Sequence, residues 1–509
     1  MSSQPERYRF PAQIKEVAVI GAGLAGITSA AHLLKKGFSV TVFERSSVPG
    51  GVWHYDPRVA NEPDYPNVRP HAPPGNKPCD EKLQNFEEAS LEHAPPGACY
   101  KGLRNNIPTT IMRTTLLEWP EGTPEYLTHD EVEKYIQDLA VTTGTQEHIL
   151  FNTNVQSIRK ENASDTGAKW TLRTRTLRRV GESDYDLTDQ DWHFDAVIVA
   201  SGRYHVPKIP DLPGLKEWKE RLPGNILHSK GYRSPESFRG KTIFLIGSGV
   251  SAMDISRETD GIARKVYQSS RNGNFDLPAA MFSPGVQRVG AVGSVVLGEG
   301  SASGDVVLKD GQVIGGVDVI ILCTGYITSF PFLGHLQDPL AARDEADENI
   351  IITSDGATTH NLHKDMFYIP DPTLIFVGVP YHASAFSLFD FQAEVVARIL
   401  AGKAELPSQN EMRKEYQKRE PGVSAGGPAF HSLMKKDVEY MNGILDWVNR
   451  DAARLGHEAM KEVDPVWIDK YFVFIEEMKK YRWPEVREDQ EVPLVGEGLK
   501  LLSISTVTA

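Results

Sequence analysis

One short pattern occurs twice in this chain of 509 residues and constrains its fold more than any other feature. It reads VAVIGAGLAGITSAAHLLKKGFSVTVFERS from Val17 and TIFLIGSGVSAMDISRETDGIARKVYQSSR from Thr242. Each copy is an apolar run, a glycine-rich turn, a helix-length segment and a second apolar run. A strand that enters a helix through glycines and is followed by another strand is typical of a parallel α/β sheet. The repeat therefore predicts two such sheets in one chain.

The first copy has the spacing G-x-G-x-x-G at Gly21, Gly23 and Gly26. In such a turn the first glycine allows the tight bend, the second lets a pyrophosphate approach the backbone, and the third allows close packing of helix on strand. Glu44 closes the second strand, where a carboxylate accepts hydrogen bonds from ribose hydroxyls and repels a 2′-phosphate. This copy is predicted to bind FAD or NAD rather than NADP.

The second copy offers Gly247, Gly249 and Ala252 in the same order. Its second strand ends in YQSSRNG, with Ser270 and Arg271 in place of the acid. A guanidinium with nearby hydroxyls suits the 2′-phosphate that distinguishes NADP from NAD. This copy is therefore predicted to bind NADP, with an ordinary surface charge as the alternative interpretation of Arg271. Two copies are expected because two dinucleotides bind.

Composition excludes several classes of partner. With 55 basic and 68 acidic residues, the net charge of -13 disfavours nucleic acids and anionic membranes. The N-terminus MSSQPERYRF does not resemble a signal peptide, and we expect no membrane span. The three cysteines, Cys79, Cys99 and Cys323, have no redox or metal-binding spacing, so a reducing, cytoplasmic location is expected and no metal site is predicted.

The remaining chain is predicted from its apolar patterns. Strands are expected at Glu16–Ile20, Ser39–Phe43, Ala196–Ala200, Thr242–Ile246, Lys265–Gln268 and Val317–Cys323. Between about 56 and 98 the pattern gives way to a Pro-rich insertion with a short helix at Asp80–Ala89. It holds two similar stretches, HAPPGNKPC and HAPPGACY, which are interpreted as solvated turns. The stretches DVEYMNGILDWVNR and WIDKYFVFIEEMKKY near the C-terminus are predicted to be surface helices.

Three further stretches of sequence resemble the motifs of one protein family. RSSVPGGVW, with Gly50, Gly51 and Trp53, resembles the G-G-x-W turn of the class B flavin-containing monooxygenases. LPGNILHSKGY is similar to the fingerprint of that family, F-x-G-x-x-x-H-x-x-x-[FY], and VDVIILCTGYITSFPFL resembles its second A-T-G-Y segment. The resemblance spans residues 14 to 402. Leu222 stands where the family has phenylalanine, and Ala252 replaces a third glycine.

This resemblance implies a fold and a reaction. The fold is α/β with two Rossmann-like dinucleotide-binding domains, the NADP domain being inserted into the FAD domain. The implied boundaries are 1–206 for the first part of the FAD domain, 207–325 for the NADPH domain, and 326–509 for the second part and the C-terminal helices. The family's reaction uses NADPH to reduce FAD, and the flavin hydroperoxide that forms with O2 transfers one oxygen atom to a soft nucleophile. The implied enzyme is similar to N,N-dimethylaniline monooxygenase.

The resemblance also assigns site residues. Asn106, in YKGLRNNIPTTIM, matches the family's asparagine that faces the reactive side of the flavin, although Asn105 and Asn106 could instead cap the turn before Pro108. The implied FAD contacts are Gly21, Gly23, Leu24, Ala25, Gly26, Glu44, Arg45, Gly51, Val52, Trp53, Asn106, Val155, Ser201, Gly202 and Gln392. The implied NADP contacts are Gly247, Gly249, Val250, Ser251, Ala252, Ser270, Arg271, Thr324 and Gly325. His382 and Phe386 are expected on the substrate side.

Two other classes of flavoprotein are alternatives to the flavin-containing monooxygenases. Disulfide reductases also carry two dinucleotide folds, but they need a reactive cysteine pair that this chain lacks. Baeyer-Villiger monooxygenases share both cofactors, yet their fingerprint ends in Trp-Pro where this chain has Tyr232 and Arg233. Oxygenation of a nitrogen or sulfur atom is therefore expected, with a ketone as the alternative substrate and a flavin-binding scaffold without turnover as the alternative outside enzymes. The insertion is interpreted as a pocket cover, which favours a specialised substrate such as a secondary-metabolite amine, and a homodimer is one expected assembly.

Overall fold

The computed structural model describes residues 6–71, 83, 85–160, 168–273, 275–419 and 429–480. The strands are β1 Arg7–Tyr8, β2 Glu16–Ile20, β3 Ser39–Phe43, β4 Ile149–Leu150, β5 Thr153–Lys160, β6 Trp170–Arg179, β7 Tyr185–Phe194, β8 Ala196–Val199, β9 Val206–Pro207, β10 Ile226–His228, β11 Thr242–Ile246, β12 Lys265–Ser269, β13 Val286–Val289, β14 Val292–Val296, β15 Gly304–Leu308, β16 Val313–Val317, β17 Val319–Leu322, β18 Tyr326–Ile327, β19 Leu362–His363, β20 Phe367–Tyr368, β21 Leu374–Phe376 and β22 Leu406–Pro407. The α-helices are α1 Leu24–Lys35, α2 Phe86–His93, α3 His129–Thr142, α4 Leu215–Arg221, α5 Val250–Glu258, α6 Ala385–Leu400, α7 Gln409–Arg419, α8 Asp437–Leu455 and α9 Pro465–Lys479.

Two parallel sheets organise the chain, as the repeated pattern predicts. The first has the strand order β19-β20-β21-β8-β2-β3-β4, in which β21, β8, β2, β3 and β4 are parallel. The second is parallel throughout, in the order β10-β17-β11-β12-β13. Along the chain, strands of the first sheet come both before and after the strands of the second sheet. One Rossmann-like unit is therefore inserted into the other. The exact domain boundaries stay a prediction.

The chain crosses between the two sheets twice, and the two crossings touch. Strand β9 leaves the first sheet and β18 returns to it, and these strands pair antiparallel, with Val206 opposite Ile327 and Pro207 opposite Tyr326. Two hydrogen bonds join the crossings at the same place. Thr324 Oγ1 donates to Lys208 O, and Lys208 N donates to Gly325 O at 3.0 Å. The crossings therefore form a short ribbon rather than two independent linkers.

The other layers fix the first sheet in place. Helix α1 packs against α6 in the largest apolar core, which also contains residues of α3, α8 and α9. The antiparallel sheet β5-β6-β7 encloses a second core with the other face of the first sheet, and includes Phe43 and Phe194. Within the described ranges no helix is both long and apolar enough to cross a bilayer.

Strand β8 ends one residue earlier and β12 one residue later than predicted, and two other predictions were wrong in their bounds. The helix expected at Asp80–Ala89 is α2, which begins at Phe86 because Asn85 caps it: Asn85 Oδ1 accepts a hydrogen bond of 3.0 Å from Glu88 N. The strand expected at Val317–Cys323 is interrupted at Asp318, whose carboxylate accepts from Thr242 N at 2.8 Å. The predicted turn after His71 and the start of the expected helix lie outside the described residues.

Packing at the third glycine gives a test of the first unit. A Cβ at Gly26 would overlap the carbonyl oxygen of Gly21, so helix α1 could not approach its own turn. We expect Gly26→Ala to lower the free energy of unfolding by about 3 kcal/mol, measured by urea denaturation. The matched control is Gly249→Ala, because no heavy atom lies within 4 Å of a Cβ there, and its change should stay below about 1 kcal/mol. Equal losses would contradict the packing role of Gly26.

Candidate cofactor and active site

The first glycine turn is pressed against the end of the neighbouring strand. Gly21 has φ +103°, and a Cβ there would lie 2.8 Å from the carbonyl oxygen of Ala200. Its amide donates to Phe43 O at 2.8 Å, at the end of β3. The turn thus lies where β2, β3 and β8 all end, which is the edge of a parallel sheet at which ligands bind. Leu24 and Ala25 follow it as the first residues of α1.

A second glycine-containing turn covers the first. Gly51 has φ +60°, and a Cβ there would lie 3.0 Å from Gly23 Cα. Gly50 N donates to Ala22 O at 3.1 Å, which ties the two turns together. Val52 is exposed, whereas Trp53 is half-buried against the main core. The two glycine turns therefore face each other with no side chain between them. This arrangement forms the cradle that a pyrophosphate needs.

Glu44 is held at the end of β3, as its predicted role requires. Its carboxylate is buried and accepts hydrogen bonds from Ala22 N at 2.7 Å and from Ser46 N at 2.8 Å. The buried negative charge is therefore fixed beside the first glycine turn. Val155 lies close by in β5, but its side chain belongs to the second apolar core. Only its backbone is available for the predicted contact.

Arg45 is connected to Ser201 through a neutral histidine. His205 Nε2 donates to Ser201 O, so its Nδ1 is free to accept from Arg45 Nη2 at 2.8 Å. Burial lowers the pKa of His205 to about 3, with the Arg45 charge as a second cause, which keeps this imidazole uncharged. Two predicted FAD contacts from different parts of the sequence are thus joined in one network.

The second glycine turn repeats the construction of the first. Gly247 has φ +124°, and a Cβ there would overlap the carbonyl oxygen of Cys323. Gly249 faces open space, with Val250 and Ser251 following it in the first turn of α5. Ala252 is buried and replaces a third glycine without strain, since its side chain packs in the apolar core of this domain. The turn is suited to hold a second pyrophosphate.

The end of β12, where the 2′-phosphate of NADP is predicted to bind, differs from expectation in the role of Ser270. Arg271 is exposed there, but the Ser270 hydroxyl donates to Asp276 Oδ2 at 2.6 Å and accepts from Asn272 N at 3.0 Å. Ser270 therefore orders this turn instead of offering a free donor. Arg288 was not predicted from the sequence, yet its Nη2 donates to Ser248 Oγ at 2.9 Å inside the glycine turn. Arg288 lies in β13, and only the pairing of β13 with β12 brings it close.

The fingerprint histidine holds the crossing ribbon. His228 Nδ1 accepts from Lys230 N at 3.1 Å, so its Nε2 donates, at 3.0 Å, to Gly325 O. Burial lowers the pKa of His228 to about 4, and the neutral ring suits this pattern of one donor and one acceptor. The fingerprint tyrosine, Tyr232, is buried and donates to Glu258 Oε2 at 2.7 Å on α5. His228 therefore holds the second unit against the return crossing at Gly325, and Tyr232 joins the fingerprint to α5.

The two adjacent asparagines have different environments. Asn105 is buried, and its Nδ2 donates to Ile107 O at 2.7 Å and to Glu125 O at 2.9 Å. Its Oδ1 accepts from Leu127 N. Asn106 is exposed. Capping of the turn before Pro108 is therefore the role of Asn105, and the carboxamide of Asn106 is available to a ligand.

The segment between β21 and α6, together with the start of α6, lies against the first glycine unit. Gln392 is fully buried: its Oε1 accepts from Gly378 N at 3.1 Å and its Nε2 donates to Tyr440 OH at 2.8 Å. Both ends of its amide bond protein groups, so it orients the Gly378 backbone. A Cβ at Gly378 would lie 3.6 Å from the Ala25 side chain on α1. The segment thus returns next to the predicted FAD turn.

The two residues expected on the substrate side have different neighbours. His382 has φ +52° and stacks on Phe275 of the second domain, with ring centroids 5.0 Å apart. Burial, and secondarily Arg203, lowers the pKa of His382 to about 4. Phe386 is a buried residue of the main core, packed near Tyr135, and its place on the substrate side stays a prediction. Its position in the first turn of α6 directs it inward, which the sequence pattern did not reveal.

The cysteine chemistry of a disulfide reductase is not found in the described part of the chain. Cys99 and Cys323 are both free and buried. Burial raises the pKa of Cys99 to about 12 and that of Cys323 further, so neither forms a reactive thiolate. Cys79 lies outside the described residues. In the same described ranges, no group of three or more His, Cys, Asp or Glu side chains could hold a metal ion.

Comparison with known proteins agrees with this geometry. The model of the flavin-binding monooxygenase-like family matches residues 82–285 and 274–455, and that of the NAD(P)-binding Rossmann-like domain matches residues 19–74. The flavin-containing monooxygenase ustF2 of Aspergillus flavus is 40% identical over 488 residues, covering 90% of this chain and 96% of its own.

Two solved structures are similar. The S-allyl-L-cysteine S-oxygenase of Allium sativum has a TM-score of 0.64 and 27% identity, over 93% of this chain and 96% of its own. Cyclohexanone monooxygenase has a TM-score of 0.54 and 14% identity, over 88% and 100%, which shows the fold alone.

The family model covers most of the chain, and the fungal relative matches it almost from end to end. Both glycine cradles that the family's cofactors require are present and correctly ordered. The chain therefore belongs to the flavin-binding monooxygenase family, resembles its fungal members, and uses FAD and NADPH.

Proposed function

We propose that this protein transfers one atom of O2 to the nitrogen or sulfur lone pair of a small molecule. One O2, one NADPH and one proton give NADP⁺, one water and the oxygenated product: one oxygen atom bonds to the nucleophile and the other leaves as water. The two electrons come from NADPH. The observation that carries the proposal is that one glycine cradle lies beside a buried acid and the other beside arginines, an arrangement that suits two different dinucleotides.

FAD, when bound, accepts hydride from NADPH and makes O2 reactive toward a soft nucleophile. The chain supplies position and charge. Glu44 and the paired turns at Gly23 and Gly51 would hold the FAD ribose and pyrophosphate, whereas Arg271 and Arg288 would attract the 2′-phosphate of NADPH. Asn106 would offer the flavin site an N–H donor that does not titrate and so neither gives nor takes a proton during oxygen transfer.

Nitrogen and sulfur are both retained as acceptors. The similar Allium enzyme is named for S-oxygenation of S-allyl-L-cysteine, which supports including thioethers beside the secondary-metabolite amines expected from the sequence. Oxygenation of N,N-dimethylaniline tests the finer assignment to that enzyme class. Ketone oxygenation has weaker support, because the fingerprint ends in Tyr232 and the likeness to cyclohexanone monooxygenase shows only the fold. The homodimer and the cytoplasmic location stay predictions.

The two asparagines allow a matched test of the oxygen-transfer step. We expect Asn106→Ala to reduce its flavin with NADPH under argon at nearly the wild-type rate, since hydride transfer does not need this donor. In air, most of the NADPH consumed should appear as hydrogen peroxide instead of product. Stopped-flow absorbance and peroxide yield per NADPH measure the two steps.

The control for this experiment is Asn105→Ala, which removes three hydrogen bonds of a buried side chain. It should lower the free energy of unfolding by about 2 kcal/mol, whereas Asn106→Ala should leave stability nearly unchanged. Unchanged coupling of NADPH to product in Asn106→Ala would remove Asn106 from the reaction.

Coenzyme preference should depend on Arg271. A guanidinium paired with a phosphate contributes charge-assisted hydrogen bonds, so Arg271→Ala should raise KM for NADPH about tenfold and leave KM for NADH within about twofold. Arg264→Ala is the control, because Arg264 is an exposed arginine of the same domain that pairs with Asp318 at 2.9 Å. Steady-state kinetics with both coenzymes give the result. Equal losses with NADPH and NADH would exclude Arg271 from the phosphate site.

A further inference from the structure

One segment of the first unit, residues 97–106, lies against the second unit just ahead of the two asparagines. We call it the bridging segment. Lys101 N donates at 2.9 Å to the carbonyl oxygen of Arg233, which directly follows the fingerprint. Gly102 lies against α5, where a Cβ would overlap the carboxylate of Glu258. The early part of the bridging segment is therefore seated on the second unit.

The rest of the bridging segment is anchored to the first unit. Leu103 O accepts at 2.9 Å from the amide of His129, the first residue of α3, and Asn105 N donates to Leu127 O at 3.2 Å. The Asn105 side chain adds three more hydrogen bonds. Asn106 follows directly, and it is exposed. A short length of chain therefore connects the surface of the second unit to the asparagine that is predicted to face the flavin.

The side chain of Tyr100 ties the bridging segment to α5. Its hydroxyl donates to Asp254 Oδ2 at 2.7 Å, and its ring packs edge-on against Tyr232, with ring centroids 5.6 Å apart. Burial raises the pKa of the Asp254 carboxyl, whereas the hydrogen bond from Tyr100 and the charge of Arg257 act in the opposite direction. The Tyr100 hydroxyl therefore supplies part of the stabilisation that a buried carboxylate needs.

Asp254 belongs to the helix that begins at the second glycine turn. Helix α5 starts at Val250 with Gly249 as its N-cap, so Asp254 lies about 7 Å along the helix axis from that glycine. Over one or two turns the backbone hydrogen bonds keep a helix straight, so the two ends of this distance move together. The hydrogen bond from Tyr100 thus connects the second glycine cradle to the bridging segment.

We propose that Tyr100 is a positioning residue for hydride transfer: through Asp254 it sets the distance between the two units at which a nicotinamide reaches the flavin. The inference rests on the proposed function and adds a residue outside both glycine cradles. In this step the hydride leaves the nicotinamide with its electron pair and bonds to the flavin, so NADPH is oxidised and FAD is reduced. Reacting atoms must lie about 3 to 3.5 Å apart, and a misplacement of about 1 Å costs a factor of about 100.

Flavin reduction in the holoprotein under argon, followed by stopped flow at increasing NADPH, separates coenzyme binding from hydride transfer. Tyr100→Phe keeps the ring contact with Tyr232 and removes only the hydroxyl. We expect its limiting rate of flavin reduction to fall about tenfold. The dissociation constant for NADPH should stay within about twofold of wild type, because the glycine cradle and its arginines are unchanged. FAD content and thermal unfolding, measured on the same samples, should match wild type.

Asp254 provides the rescue and the test of the pair. Asp254→Asn keeps an oxygen acceptor for Tyr100 and should retain about half of the wild-type rate or more. Asp254→Ala should lose as much rate as Tyr100→Phe. The double variant of Tyr100→Phe and Asp254→Ala should be no slower than either single variant, since both substitutions remove the same hydrogen bond.

The matched control is Tyr471→Phe. The Tyr471 hydroxyl also donates to a buried carboxylate, Asp437 Oδ2 at 3.0 Å, but this pair joins α9 to α8 within the first unit. The control variant should therefore reduce its flavin at the wild-type rate.

Four outcomes would overturn the inference. These are a wild-type limiting rate in Tyr100→Phe, an equal fall in Tyr471→Phe, weaker NADPH binding at an unchanged limiting rate, and additive losses in the double variant, which would show that Tyr100 does not act through Asp254. Each of them leaves the proposed function intact as long as NADPH reduces the wild-type flavin. Wild-type holoprotein that NADPH does not reduce would refute the proposed function together with the inference.

Discussion

The contact on which the structure depends is the close approach of each first glycine to the carbonyl that ends the neighbouring strand. Gly21 lies against Ala200 O, and Gly247 lies against Cys323 O. Both carbonyls come directly before a hydroxyl-glycine pair, Ser201-Gly202 and Thr324-Gly325, at which the chain leaves its sheet. Each dinucleotide turn is therefore packed onto a point where the chain crosses between domains. A side chain at either glycine would separate the turn from the crossing.

The crossings are in turn fixed by the fingerprint and by the Pro-rich insertion. Glu62 accepts from His228 N at 2.8 Å, and Asn67 forms a bridge with Ile209 beside β9. Arg233 Nε donates to Arg58 O at 2.9 Å. The described part of the insertion therefore lies on the crossing ribbon and joins it to the fingerprint. In this arrangement the buried, neutral fingerprint histidine holds the return crossing in place.

Both dinucleotide-binding units could be predicted because they depend on local sequence. The glycine spacing, the strand-closing Glu44 and the alternation of strands with helices identified both units, since each is a continuous stretch whose geometry is set by neighbours along the chain. The return crossing and the fingerprint were recognised by resemblance. Helix α2 begins at Phe86 because Asn85 caps it, a role that the composition of this stretch did not reveal.

The missed features depend on contacts between distant segments. Arg288 reaches Ser248 only through the pairing of β12 with β13, and Arg203 meets Tyr381 only where β8 and β21 lie side by side. The inward orientation of Phe386 could not be predicted from the sequence, because the face of α6 that packs inward is decided by α1 and α3. Adjacent asparagines with the same chemistry could not be separated by sequence, since burial alone distinguishes Asn105 from Asn106.

The most direct test of the two-dinucleotide oxygenase is the origin of the oxygen atom in the product. Purified holoprotein, NADPH and a panel of thioethers, amines and amino acids are incubated under ¹⁸O2 in unlabelled water, and the products are weighed by mass spectrometry. We expect one ¹⁸O atom per molecule of product and one NADPH consumed for each. Product that carries oxygen from water, or NADPH oxidation that yields only hydrogen peroxide with every member of the panel, would contradict it.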